Sequence, residues 1–135
     1  MPKPSKLIIS ILFVLLIIGL DQTSKQLVLH YLPKLVFINM HGVLGILPGW
    51  VGYVALGVLL ISLKKKVLGS FWLLLIVAAG LSNILDRLLY GGVVDFIQIW
   101  QFPVFNLADS LITIGVIAIS LKEFKQEKTE SIKEK

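Results

Sequence analysis

Residues 7–25 read LIISILFVLLIIGLDQTSK, an apolar run that ends in an aspartate, a glutamine and a lysine. A helix that crosses a bilayer needs about 20 mostly apolar residues, since each residue adds about 1.5 Å of rise. Three further stretches of this kind follow, at 47–63, 67–88 and 102–121. The sequence therefore predicts an all-α membrane protein with four transmembrane helices.

The composition of the 135-residue chain agrees with this fold class. Hydrophobic residues make up 56% of the chain and charged residues 16%, whereas about a quarter of the residues of a soluble domain are charged. Lys3 and Lys6 precede the first apolar run as in a signal peptide, but no small-x-small cleavage site follows, so we interpret the run as a retained first helix. We predict one domain over 1–121 and a charged cytoplasmic tail over 122–135, either a frayed helix or disordered.

The distribution of basic residues predicts the orientation, because cytoplasmic loops are enriched in lysine and arginine. Of the 13 basic residues, all but Lys25, Lys34 and Arg87 fall at the two termini or between the second and third predicted helices. Both termini are therefore predicted to be cytoplasmic. The lysines fit contact with anionic lipid headgroups. They lack the aromatic interleaving of a nucleic-acid site, so no nucleic-acid partner is predicted.

The first outer loop, residues 26–46, is unusually apolar. Its segment LVFI at 35–38 is β-branched and aromatic, which favours a short strand. A loop of this composition is too apolar to extend into water. We therefore expect it to lie on the membrane surface and to cover another part of the protein.

The acidic residues are segregated along the chain. All four glutamates lie in the C-terminal tail, whereas the four aspartates, Asp21, Asp86, Asp95 and Asp109, map to the outer half of the protein. Asp21 lies about 21 Å along the first helix and Asp109 about 18 Å from the inner end of the fourth, in a core of roughly 30 Å. A carboxylate inside a span costs about 2.5–3.5 kcal/mol on insertion scales, so such residues are usually paired or functional.

Two polar spacings have a simple structural explanation. Asp21 and Lys25 are four residues apart, as are Asn83 and Arg87. Such pairs often do no more than stabilise a helix end. For these residues a structural role and a functional role both stay open.

Asp95 and Asp109 have no basic residue within a helical turn, which favours a functional role. Two carboxylates close together in a partly desolvated pocket cannot both ionise, so one stays protonated. Such a pair suits general acid and general base catalysis on a water molecule. The chain has no cysteine and its two histidines fall in loops, so neither thiol nor zinc chemistry is predicted. We expect no metal and no cofactor.

Four short motifs resemble those of the lipoprotein signal peptidases, also called signal peptidase II. DQTSK at 21–25 is similar to the D-Q-x-x-K segment that ends their first helix, and NILDR at 83–87 to their N-x-x-D-R motif. GGVVDF at 91–96 resembles G-x-V-x-D-F, and FNLAD at 105–109 resembles F-N-x-A-D. Each motif alone is weak, but their order on a four-span frame is specific.

The resemblance implies an intramembrane aspartic endopeptidase of the bacterial cytoplasmic (inner) membrane, with its active site on the extracytoplasmic side. Asp95 and Asp109 would activate water to cleave the amide before the diacylglyceryl-modified cysteine of a prolipoprotein. The residues implied to bind substrate or support the catalytic pair are Asp21, Lys25, Asn39, Asn83, Arg87, Asn106 and Ala108. Asp86 would brace Arg87. The implied partners are prolipoprotein substrates and membrane lipid, and we expect a functional monomer.

Family members also carry a β-like cradle and a short helix over the site, which suits the first outer loop. Two stretches depart from the family pattern. The usual N-x-G-x-A-F-G-like segment is NMHGVLG at 39–45. The connection between the two aspartates is compact, with Trp100, Phe102 and Pro103 in it.

Two other functions are compatible with submerged carboxylates. A small proton-coupled transporter would use them as a relay, although the spans show no inverted repeat and the aspartates lie on one side rather than at the midplane. A structural assembly factor would use them to join helices. Cleavage of a lipidated prolipoprotein by the purified protein, without added metal or nucleotide, separates these functions from a peptidase.

Overall fold

The computed structural model describes residues 5–41, residue 57 and residues 70–133. This part of the chain is mostly helical, with one small antiparallel strand pair. In chain order its elements are helix α1 (Lys6–Tyr31), a 3-10 turn (Pro33–Leu35), strand β1 (Phe37–Asn39), helix α2 (Phe71–Tyr90), strand β2 (Val93–Asp95) and helix α3 (Leu107–Lys133). Apart from Gly57, the predicted second span at 47–63 lies outside the described residues, as does the start of the third, 67–69.

Helix α1 is longer than the predicted span. It begins after Ser5, whose side-chain oxygen accepts a hydrogen bond from the N–H of Ile8 at 3.3 Å. It continues past Lys25 to Tyr31, because no glycine or proline interrupts this stretch. Pro33 then stops it, since proline has no N–H to donate and disfavours the helical conformation in the preceding residue. The predicted end near Lys25 is therefore too early.

The fourth predicted span, 102–121, begins too early. Helix α3 starts only at Leu107, because the chain before it folds back as a hairpin in which Ile97 pairs with Phe105. Proline at 103 also lacks the N–H that a helix would need. At its other end α3 continues through the charged tail to Lys133. The tail is rich in lysine and glutamate, which are good helix formers.

The two strands join the segment after α1 to the segment after α2. They run antiparallel, with Phe37 opposite Asp95 and Asn39 opposite Val93. The predicted strand at 35–38 is wrong at its start, because Pro33–Leu35 form a 3-10 turn. The first outer loop holds a short strand and a 3-10 turn, as the predicted cradle and short helix require, but the partner strand β2 follows α2. A three-residue strand is too short to show an alternating pattern in the sequence.

Two consecutive glycines carry the chain from α2 into β2. Gly91 ends the helix with φ 73°, a left-handed conformation that glycine adopts without steric cost. A β-carbon on Gly92 would lie 2.8 Å from a side-chain carbon of Ile38 and 2.9 Å from the carbonyl oxygen of Asn39. Strand β1 can therefore approach this closely only where residue 92 has no side chain. The turn fixes the direction in which β2 carries Asp95.

Helix α2 lies between α1 and α3 and packs against both. Ile17 of α1 meets Leu75 and Ala78 of α2 in a small apolar cluster. Most of the apolar surface nevertheless stays uncovered, since only 17% of the most apolar window of α1 and 39% of that of α2 is buried. Both helices are long and apolar enough to cross a membrane. Such low burial suits helices that face lipid, because the core helix of a soluble protein would be mostly buried.

A buried ion cluster completes the packing of α1 against α2. Lys25 is fully buried, and its Nζ lies 2.6 Å from Oδ2 of Asp21 and 2.7 Å from Oδ2 of Asp86. It also donates to Oδ1 of Asn83 at 3.0 Å. The three protons of the ammonium group thus match three acceptors. The spacing of Asp21 and Lys25 is therefore more than a helix-end pair, because the lysine bridges two helices.

We expect Lys25→Met to lower the free energy of unfolding by about 3–5 kcal/mol, because the change leaves two buried carboxylates without their cation. Denaturant unfolding in detergent micelles measures the loss. Lys34→Met, at an exposed lysine of the 3-10 turn, is the matched control. Adding Asp86→Asn to Lys25→Met should restore part of the stability. A loss no larger than that of the control would contradict the role of the cluster.

Candidate active site

Asn106 joins the two aspartates of the predicted catalytic pair. It precedes α3, and it is fully buried. Its Nδ2 donates to Oδ1 of Asp95 at 2.8 Å, and its Oδ1 accepts from the backbone N–H of Asp109 at 2.9 Å. Oδ2 of Asp109 in turn accepts from the N–H of Asn106 at 3.4 Å. This reciprocal arrangement is a capping box, so the residue that starts α3 also binds Asp95.

Asp95 lies at the end of β2, outside the helices, and is 1% exposed. Its Oδ2 accepts a hydrogen bond from Nδ2 of Asn39, on the paired strand, at 3.1 Å. Burial, and then the nearby carboxylate of Asp109, raise the pKa of Asp95 to about 7. The amide donors of Asn39 and Asn106 oppose this shift because they stabilise the charged form. Asp95 can therefore exchange a proton near neutral pH.

Asp109 lies in the first turn of α3 and is half-buried. Its Oδ1 accepts from Nδ2 of Asn83, on α2, at 2.9 Å. Oδ1 of the same asparagine accepts from Nζ of Lys25 at 3.0 Å and from Nδ2 of Asn106 at 3.1 Å. Asn83 therefore connects the buried cation to Asp109 and to the asparagine that holds Asp95.

Asp21 binds the backbone next to Asp109. Its Oδ1 accepts from the N–H of Ala108 at 2.8 Å, while its Oδ2 contacts Lys25 and accepts from the hydroxyl of Ser82 at 2.7 Å. Ala108 is fully buried. The first helix thus holds the start of α3 through one carboxylate.

Asp86 binds the backbone next to Asp95 in the same manner. Its Oδ2 accepts from the N–H of Val94 at 3.0 Å and pairs with Lys25, while its Oδ1 accepts from Nε2 of Gln22 at 2.6 Å. The two carboxylates around the cation therefore each bind the residue that precedes an aspartate of the predicted pair.

The structure brings the predicted site residues into this region, and Arg87 reaches it through the backbone of Asn83. Arg87 is half-buried, and its Nη1 reaches the carbonyl oxygen of Asn83 at 3.4 Å. Asp86, expected to brace Arg87, has the buried lysine as its ion-pair partner instead. Two residues of the network, Gln22 and Ser82, were not among the predicted site residues. Nε2 of Gln22 donates a hydrogen bond to the hydroxyl of Ser82 at 3.0 Å.

A signal for Ser82 is its spacing from Asp86. Residues four apart share one face of a helix, so a serine and an aspartate on α2 both face the DQTSK segment. Gln22 lies within the DQTSK segment, but the helix-end pair considered in the sequence involves only Asp21 and Lys25, the first and last residues of that segment.

The site offers chemistry based on carboxylates and neutral amides. Among the described residues, no three histidine, aspartate or glutamate side chains are grouped as a metal ion would require. No buried side-chain nitrogen or oxygen of these residues lacks a hydrogen-bond partner. Two carboxylates that both accept hydrogen bonds from one asparagine, one of them with a pKa near neutrality, can act as an acid and a base on the same water molecule.

Comparison with known proteins agrees with the motif resemblance. Residues 37–125 match the family model for signal peptidase (SPase) II. The lipoprotein signal peptidase of Streptococcus agalactiae serotype V is 35% identical over 147 residues, which cover 90% of this chain and 95% of that protein. That of Staphylococcus carnosus is 33% identical over 146 residues, with 88% and 92% covered.

The fold has a counterpart among solved structures. A bacterial membrane enzyme determined by the in meso method at 2.3 Å resolution superposes with a TM-score of 0.70 and 30% sequence identity. The match covers 89% of this chain and 90% of that one. Since the family model spans well over half of the chain and the relatives align along nearly their whole length, the chain belongs to the signal peptidase II family.

Proposed function

We propose that this chain is an intramembrane aspartic endopeptidase that removes the signal peptide from diacylglyceryl-modified prolipoproteins. Membership of the signal peptidase II family supports a protease that acts on prolipoproteins, and it weighs against the transporter and the assembly factor. The aspartic mechanism rests on one observation, which is that Asn106 donates hydrogen bonds to both carboxylates, from its side-chain amide to Asp95 and from its backbone N–H to Asp109.

In this mechanism the two aspartates hold one proton between them. The ionised carboxylate takes a proton from water, whose oxygen attacks the carbonyl carbon before the lipidated cysteine, while the protonated carboxyl gives its proton to the carbonyl oxygen. The first carboxyl then protonates the leaving nitrogen as the C–N bond breaks. A hydroxyl proton of the intermediate returns to the second carboxyl, which restores the starting state. The pair titrates as a unit.

The surrounding residues would position the catalytic pair and the substrate. The amides of Asn83 and Asn106 orient the carboxylates, and Asn39 and Arg87 are candidates to hold the substrate backbone. Asp21 and Lys25 would fix the start of α3 through the N–H of Ala108.

The chain would act in the bacterial inner membrane as a monomer, without a cofactor. Helices α1 and α2 supply two of the four proposed spans. Both termini would lie in the cytoplasm, with the peptidase domain at 1–121 and the tail at 122–135. The site then faces the extracytoplasmic side, where the acyl chains of the substrate stay in the bilayer and the peptide reaches the aspartates.

Asp95→Asn and Asp109→Asn should each lower turnover of a lipidated prolipoprotein by at least about 10²–10⁴-fold, the usual contribution of a general acid or base. The assay uses the purified protein in detergent without added metal or nucleotide. Glu123→Gln, at an exposed acid of α3, is the control. Unfolding transitions of both variants should match that of the natural protein. Full activity in either variant would exclude that aspartate from the catalytic pair.

Activity should decline as the pH rises through about 7, because Asp95 then loses the proton that the pair must keep. Asn39→Ala should move this alkaline limb to higher pH. The substitution removes a donor that stabilises the ionised carboxylate, so the pKa of Asp95 rises further. Profiles of kcat/KM against pH test this, with Met40→Ala at the exposed neighbouring residue as control. An unchanged limb, or a shift to lower pH, would contradict the assignment.

Removing the diacylglyceryl group from the substrate should sharply lower kcat/KM, because each CH₂ held in the bilayer contributes about 0.8 kcal/mol. A peptide with a single acyl chain on the same cysteine is the matched intermediate and should fall between the two. Equal kcat/KM for the lipidated and unlipidated peptides would argue against this substrate class.

A further inference from the structure

A short hairpin between β2 and α3, residues 96–105, exposes an apolar tip. We call it the Trp100 hairpin. Trp100 is 89% exposed, Ile99 61% and Phe102 55%. No residue of the hairpin is charged. Exposed clusters of large apolar side chains mark surfaces that contact a partner or a membrane.

The base of the hairpin holds the tip in a defined direction. Ile97 and Phe105 exchange two backbone hydrogen bonds, of 2.8 Å and 3.0 Å. The N–H of Phe102 donates to the carbonyl oxygen of Ile99 at 2.9 Å. The rings of Phe102 and Phe105 meet edge to face with centroids 5.9 Å apart. The apolar tip is therefore a built feature of the fold.

The conformation of Trp100 indicates that its side chain has a role outside the hairpin. Its φ is 49°, and within 5–41 and 70–133 it is the one residue other than glycine with a positive φ. A bulky residue in this region is strained, whereas glycine would fit freely. The backbone therefore does not favour tryptophan here. Residues held in strained conformations of this kind cluster at functional positions of proteins.

Helices α1 and α2 both end in a tyrosine, a residue type that concentrates at the membrane–water interface. Tyr31 ends α1 and Tyr90 ends α2, and Gln26 donates a hydrogen bond to the hydroxyl of Tyr90. Tyrosine and tryptophan concentrate at this level because each has an apolar body and a polar group. The hairpin follows Tyr90 after only the glycine turn and β2.

We propose that the tip of the Trp100 hairpin inserts into the headgroup region of the outer leaflet and anchors the site to the bilayer surface. The occupant is lipid, because two further large apolar side chains, Leu88 (75% exposed) and Leu89 (60%), lie uncovered at the end of an apolar helix long enough to cross a membrane, just before the turn that leads to the hairpin. The flanking glutamines Gln98 and Gln101 are uncharged and suit the headgroup region. Since Asp95 directly precedes the hairpin, the anchored tip sets its depth. The inference requires a membrane-embedded chain but not the proposed catalytic mechanism.

Tryptophan fluorescence tests the anchor, because the chain has three tryptophans. A variant with Trp50→Phe and Trp72→Phe leaves Trp100 as the emitter in phosphatidylcholine vesicles, with or without lipid brominated on the acyl chains near the headgroup. We expect emission at shorter wavelength than that of tryptophan in water, strong quenching by the brominated lipid and weak quenching by aqueous iodide. The variant with Trp50→Phe and Trp100→Phe, which keeps half-buried Trp72, is the matched control.

Strong quenching by iodide without quenching by bromine would overturn the proposal. Insensitivity to both quenchers would also overturn it, because the tip would then be covered by protein. Shielding of Trp100 from iodide that arises only when a lipidated substrate peptide is added would overturn the proposal too, because the substrate and not the bilayer would then cover the tip. If the double variant does not fold, Trp100→Phe alone should lower the bromine-quenchable part of the total emission, and bromine quenching that is unchanged by this substitution would overturn the proposal equally.

Discussion

The arrangement of the described helices and strands depends on one buried ammonium group. A buried cation is stable only with carboxylate partners and a full set of hydrogen bonds, and Lys25 finds both in Asp21 and Asp86. Each carboxylate uses its second contact to bind a backbone N–H, that of Ala108 or that of Val94. One charge therefore determines how α1, α2, β2 and the start of α3 meet.

The same constraint explains why Asp95 and Asp109 are surrounded by neutral amides. A lysine or arginine bonded directly to Asp95 would keep the pKa of that carboxyl low and hold it ionised. Asn39 and Asn106 satisfy its oxygens without adding a positive charge, and Asn83 separates the cation from Asp109. The cation thus organises the site from one residue away, as the proposed sharing of one proton between the aspartates requires.

Local sequence patterns were sufficient for the helices and less so for their ends. Apolar runs located α1, α2 and α3, but where α1 stops depends on Pro33 and where α3 starts depends on a hairpin that closes before it. Motifs identified the residues that now lie together, although their catalytic roles stay predictions. The partner of Asp86 was not predictable, because its contact with Lys25 joins two helices and no spacing along the chain encodes it. Strand β2 has no local signal either, since it is extended only where β1 pairs with it.

The two aspartates are held in unequal ways, and with the proposed anchoring of the Trp100 hairpin this inequality would connect the site to the membrane. Asp109 belongs to a long helix whose start is fixed from within by Asp21 and by its own capping box. Asp95 ends a three-residue strand, fixed from within through Val94 and followed at once by the Trp100 hairpin. If the hairpin tip lies among headgroups, a change in the depth of the tip in the bilayer would shift the position of Asp95 and leave Asp109 in place. The bonds of Asn106 are then what keeps the two carboxylates in register.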